Sequence, residues 1–212
     1  MNYELFGLQF DPFTHLDSTK DENLHEYLVI PKAVESLWDD APIAILAEPG
    51  SGKSALRRYA EKAYRDTRGA KLPVTYVPAT YHLRPSFHTD GLKQALARAV
   101  FIYLISYPEI FLHFSAHQRE KCAFLLAYLP YNLDFLLEVS QASSLIAEME
   151  QLLGVGAISR ITQMGPTHKE MFARIGEIVQ KKTVDSKEET IPDLFLFTRD
   201  LFEVHSFQIL VD

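Results

Sequence analysis

The sequence predicts an α/β fold in which parallel strands are interrupted by a large helical insertion. Three observations carry that expectation. The run 42–47 is short and apolar, bounded by Asp39 and Asp40 before it and by Glu48, Pro49 and Gly50 after it, as in a strand buried on both faces. A second run, 73–78, is β-branched and flanked by prolines, and a third, 207–211, closes the sequence on Phe207, Ile209, Leu210 and Val211. Between the second and third runs lies a tract whose leucines recur at helical spacing. Strand, helix, strand, helical block and strand in that order point to a sheet with an insertion.

The elements follow in order. Residues 1–40 are expected to form an arm and a helix: the opening is aromatic and turn-rich, and Pro31 starts a helix whose Val34, Leu37 and Trp38 share one face. Residues 41–80 hold the first strand, a helix from Lys53 to a stop at Gly69, and the second strand. Residues 81–205 are the expected helical insertion, periodic from Gly91 to about Val204. Breaks fall at Pro108, Pro130, 154–156, Gly165-Pro166 and 186–192. Its apolar positions exceed what one connecting helix buries on a sheet, so these helices must also pack on one another. Residues 206–212 are the last strand and its terminal Asp212.

Composition narrows the classes. The chain has 212 residues, 47% of them hydrophobic and 23% charged, which suits one folded domain rather than a disordered or low-complexity chain. Net charge is −7, so nucleic acid is expected only through a local patch or another region. The lone Cys122 forms no internal disulfide and fits a reducing cytoplasm. Residues 1–5 lack the basic start of a secretory signal, and the most apolar stretch, 97–114, is cut by Arg98, Pro108, Glu109 and His113. No membrane span is expected.

The chemistry lies between the first strand and its helix. Ala47-Glu48-Pro49-Gly50-Ser51-Gly52-Lys53-Ser54 follows G-x-x-x-x-G-K-[ST], with Ala47 in place of the first glycine. Gly50 and Gly52 admit backbone conformations that turn successive N–H groups toward an anion. The helix beginning at Lys53 adds its positive end. Lys53 is the expected catalytic group, reaching the β- and γ-phosphates, and Ser54 with Asp212 are the expected Mg2+ ligands. Glu48, Pro49, Gly50, Ser51, Gly52, Lys53, Ser54 and Ala55 are the expected contacts to ATP. Phe207 to Val211 followed by Asp212 fits a Walker B strand.

On these residues the chain resembles the P-loop AAA-type ATPases of the secretion-helper, transposition-helper and origin-recognition group. Phe6-Gly7-Leu8 and Pro12-Phe13 look like that group's opening arm, and 48–54 like its Gly-x-Pro-Gly-x-Gly-Lys loop. The resemblance covers Phe6 to about Pro78 and the last strand, and leaves out the helical tract. It implies a three-layer α/β sheet that turns ATP binding and hydrolysis into motion, with Ile30 and Pro31 bordering the adenine. It also implies a glutamate after Asp212, a sensor strand between the loop strand and the Walker B strand, an arginine finger and a helical lid. The chain as written ends at Asp212, so the expectation is an incomplete sheet, dependent on a further segment or a second chain.

Two functional classes stand on this reading: an ATP-driven switch, and a non-hydrolysing nucleotide-sensing scaffold whose helical region binds a partner protein. A small-molecule kinase is a third, for which no basic lid is identified. Other signals are weaker. His113 and His117 are spaced i, i+4 beside Glu120 and Cys122, but no His-Glu-x-x-His pattern accompanies them. Arg57, Arg58, Arg65 and Arg68 read as a solvated helix face, Lys181 and Lys182 as part of a mixed-charge linker, and Cys122 as a small core residue. Groups that position water or stabilise the transition state contribute about 10³–10⁵ in rate at such sites. The 212-residue chain is therefore expected to hydrolyse ATP poorly in a phosphate-release assay. Robust turnover abolished by Lys53→Ala would overturn that.

Overall fold

The computed structural model describes residues 24, 28–30, 44–46, 48, 50–66, 71–77, 85–129, 165–181 and 190–211. They form helix α1 (Lys53–Asp66), strand β1 (Lys71–Tyr76), helices α2 (Pro85–Ser106), α3 (Pro108–His113), α4 (Ala116–Leu126), α5 (Pro166–Lys181) and α6 (Ile191–Phe202), and strand β2 (Ser206–Val211). The arrangement is mostly helical, with two parallel strands. The opening arm, the helix expected after Pro31, and residues 130–164 lie outside the described residues.

β1 and β2 pair in register from Lys71 opposite Ser206 to Tyr76 opposite Val211. Alternation along β1 sends its side chains to two helices. Lys71 reaches over the Tyr64 ring of α1 at 5.6 Å, which sets Lys71, Pro73 and Thr75 toward α1. Tyr76 meets α2 at Gly91, which sets Leu72, Val74 and Tyr76 toward α2. Leu72 and Val74 are buried there at 3% and 0% exposure, so β1 is covered on both faces. Among the described residues β1 pairs with β2 alone.

The helices of the block start and stop where local chemistry dictates. Pro108 opens α3 after a break at Tyr107, because proline suits a first turn and cannot continue α2. Ser115 caps α4 through a reciprocal box with Gln118. Thr190 caps α6, accepting from the Asp193 N–H. α6 ends on Glu203 in the left-handed region, φ 54°, and that turn directs the chain into β2. Arg119 donates to the carbonyls of Phe111 and Leu112, satisfying the end of α3.

The core runs from the α2 face of β1 into the block and is rich in aromatic edges. Phe101 meets Phe172 of α5 at 5.9 Å, while Tyr103 and Phe114 each meet Phe202 of α6 at 5.5 Å. Such edge-to-face pairs add about 0.5–1.5 kcal/mol beyond area burial. Cys122 is fully buried among these helices, and burial pushes its thiol far above the ordinary range, so it stays neutral.

Three expectations need correction. Residues 44–46, expected in a buried strand, are not in a strand, and Leu46 is 93% exposed: an apolar run becomes a strand only where neighbours complete its ladder. β2 is less buried than its sequence suggests, with Ile209 45% and Val211 63% exposed, because among the described residues only β1 pairs with it. α2 begins at Pro85 rather than at Gly91, which sits inside the helix. The glycine there serves a close approach: a Cβ would lie 2.9 Å from Tyr76 Cε2.

Phe101→Ala should destabilise the fold by about 3–5 kcal/mol, a fall of roughly 6–20 °C in Tm for a chain of this size. Leu196→Ala, at a half-exposed position of α6, should stay within about 0.5 kcal/mol of wild type. Equal losses in thermal melts of the two variants would contradict this placement of the core.

Candidate phosphate-binding site

The loop before α1 is held by its own backbone. Gly50 and Gly52 both take positive φ, 81° and 85°, where a side chain would be strained. The carbonyl oxygen of Glu48 accepts from the Ser51 N–H at 3.2 Å and from Lys53 Nζ at 2.8 Å. The lysine thus lies across the loop that precedes it. The Leu56 N–H reaches Gly52 O at 2.9 Å, so the helical ladder starts at the second glycine.

Electrostatics at this end favour an anion. The first turn of α1 carries no acidic residue, so its partial positive charge is not offset from within the turn. The loop residues Gly50, Ser51 and Gly52 are exposed, Lys53 and Ser54 are half-buried, and Ala55 is buried at 8%. An exposed glycine turn leading into a half-buried first turn is the arrangement in which backbone donors at a helix N-terminus are reached from solvent.

Helix and sheet bring this loop to one end of the fold. The last turn of α1 touches the first residue of β1 through Tyr64 and Lys71. A 14-residue helix spans about 21 Å and a six-residue strand about 17–20 Å. As α1 packs back along β1, its N-terminus comes level with Tyr76 and Val211. Val211 precedes Asp212, which lies outside the described residues, as do Ala47, Pro49 and Pro31. Ile30 is half-buried and Val29 is 86% exposed, in a segment without helix or strand.

The remaining candidates are separated by the fold. His113 closes α3 and His117 lies in the first turn of α4, so the break at Phe114 and Ser115 separates them instead of stacking them on one helix. Both are exposed, as is Glu120, while Cys122 points into the core. Among the described residues no cluster of three or more metal-ligating side chains occurs. Arg57 pairs with Glu61 at 3.9 Å across one turn of α1. No helix among the described residues is long and apolar enough to cross a membrane. The Tyr76–His88 hydrogen bond, 2.6 Å, is a feature the sequence did not signal.

Gly52→Ala should cost about 1–2 kcal/mol through backbone strain alone, since nothing lies within 4 Å of the added Cβ. Denaturant melting at unchanged stability would mean that the loop does not hold its left-handed residue.

Compared with protein-family models, curated proteins and solved structures, the chain finds no match.

Proposed function

We propose that this protein binds Mg-ATP at the loop 48–55 and acts as an ATP-driven switch of the AAA type. The observation that carries the proposal is the loop itself: two left-handed glycines and Lys53 folded over an exposed turn, at the N-terminus of a helix with no acid in its first turn. In this reading the amides of Gly50 to Ser54 hold the β-phosphate and Lys53 moves from Glu48 O to the phosphate oxygens, neutralising charge. Ser54 and Asp212 would hold Mg2+, which would supply positive charge against the phosphates. The donor set suits that ion: a hydroxyl and a carboxylate are hard oxygen ligands. Ala55 continues the cradle, and Ile30 and Pro31 border the base.

The wider fold we propose is a three-layer parallel sheet. One feature supports it: β1 pairs in parallel with β2 and is covered by helices on both faces.

A second reading, a nucleotide sensor whose helical block engages a partner protein, is favoured by the size of that block. Five helices separate β1 from β2 among the described residues, where a parallel crossover needs one. Both readings share the nucleotide site, and a cytoplasmic setting accords with the single buried Cys122.

Calorimetry with Mg-ATP should show saturable binding, weakened at least about tenfold by Lys53→Ala, the loss of about 1.4 kcal/mol. Equal affinity in the two proteins would overturn the site.

A further inference from the structure

We propose that the contact of Tyr76 with His88 and Gly91 couples the nucleotide end of the sheet to the helical block. The proposal rests on the nucleotide reading above. Tyr76 is the last residue of β1 and lies opposite Val211, next to the proposed Mg2+ ligand Asp212. Its phenol oxygen is 2.6 Å from His88 Nδ1, and the two rings meet edge to face at 6.2 Å. One turn later its ring lies against α2 at Gly91, where an added Cβ would come within 2.9 Å of Cε2 and force the ring to shift. His88 and Gly91 are spaced i, i+3 and share a helix face, so one side chain grips α2 twice.

The far end of α2 is fixed more firmly. From Pro85 the helix runs unbroken for 22 residues. Val100, Phe101 and Leu104 are fully buried in the block. The Ile105 carbonyl lies 2.8 Å from His168 Nε2 of α5. His88 and Asp90, in contrast, are exposed, and the first turn of α2 carries no acidic residue to complement its dipole. α2 is thus a rod with one end embedded in the core and exposed side chains at His88 and Asp90 near the other, where Tyr76 ties it to the sheet. A ligand that orders the strand ends orders Tyr76, and through it the start of α2.

Hydrogen exchange on the full chain tests this, read by mass spectrometry over 85–95 with and without saturating Mg-ADP. In wild type, nucleotide should slow exchange there by roughly fivefold or more, the low end of ordinary coupling. Tyr76→Phe and His88→Ala remove the bond from opposite sides, the second at an exposed position. Both should lose the nucleotide-dependent protection while binding Mg-ADP no more than about fivefold more weakly, because linkage is reciprocal. A merely structural bond would raise exchange equally with and without nucleotide. Protection retained in both variants, or nucleotide bound by wild type with no change over 85–95, would overturn the coupling and leave the nucleotide site standing. Failure of wild type to bind nucleotide at all would overturn both.

Discussion

Burial of β1 on both faces is the constraint from which the rest of the arrangement follows. Six residues divide their side chains between two helices, with Lys71, Pro73 and Thr75 toward α1 and Leu72, Val74 and Tyr76 toward α2. A strand clothed in this way cannot slip by one residue without exchanging the two sets, so its register with β2 is strongly fixed. Once α1 is laid along that face, the loop before it has one place to go, the end of the sheet where both strands finish. The position of the phosphate-binding candidate is thus a consequence of how one six-residue strand is packed.

The helical block answers a different need. α2 supplies the cover for β1, yet its own outer face is apolar almost throughout, from Ala95 to Ile105. A helix buried all round requires neighbours on every side. α3, α4, α5 and α6 provide them, with aromatic edges at Phe101, Tyr103, Phe111 and Phe114 filling the space between. That requirement, rather than any crossover length, explains why the insertion is large.

Much of this is legible in the residues. Helical spacing, proline and glycine mark α1, α3 and α5 close to their observed starts, because first turns and breaks are written in local backbone chemistry. The loop is legible for the same reason: Gly50 and Gly52 stand where the backbone turns left-handed. What the sequence conveyed poorly depends on partners distant in the chain. Gly91 reads as a helix boundary until Tyr76 is seen against it, and His113 and His117 read as one face until Phe114 interrupts the helix. The burial of 44–46 and of β2 likewise depends on which strands stand beside them, and no local pattern contains that information. Asp212, the expected Mg2+ ligand, lies outside the described residues, so the metal half of the site rests on the strand that leads to it.

The central claim is that the backbone from Gly50 to Ser54 is an anion cradle for a magnesium nucleotide. Amide chemical shifts followed by nuclear magnetic resonance during titration with Mg-ATP test it most directly, because the amides themselves are the proposed donors. The account predicts that the largest saturable changes fall on Gly50, Ser51, Gly52, Lys53 and Ser54. Saturable changes elsewhere with those five amides unmoved, or no saturable change at all, would contradict it.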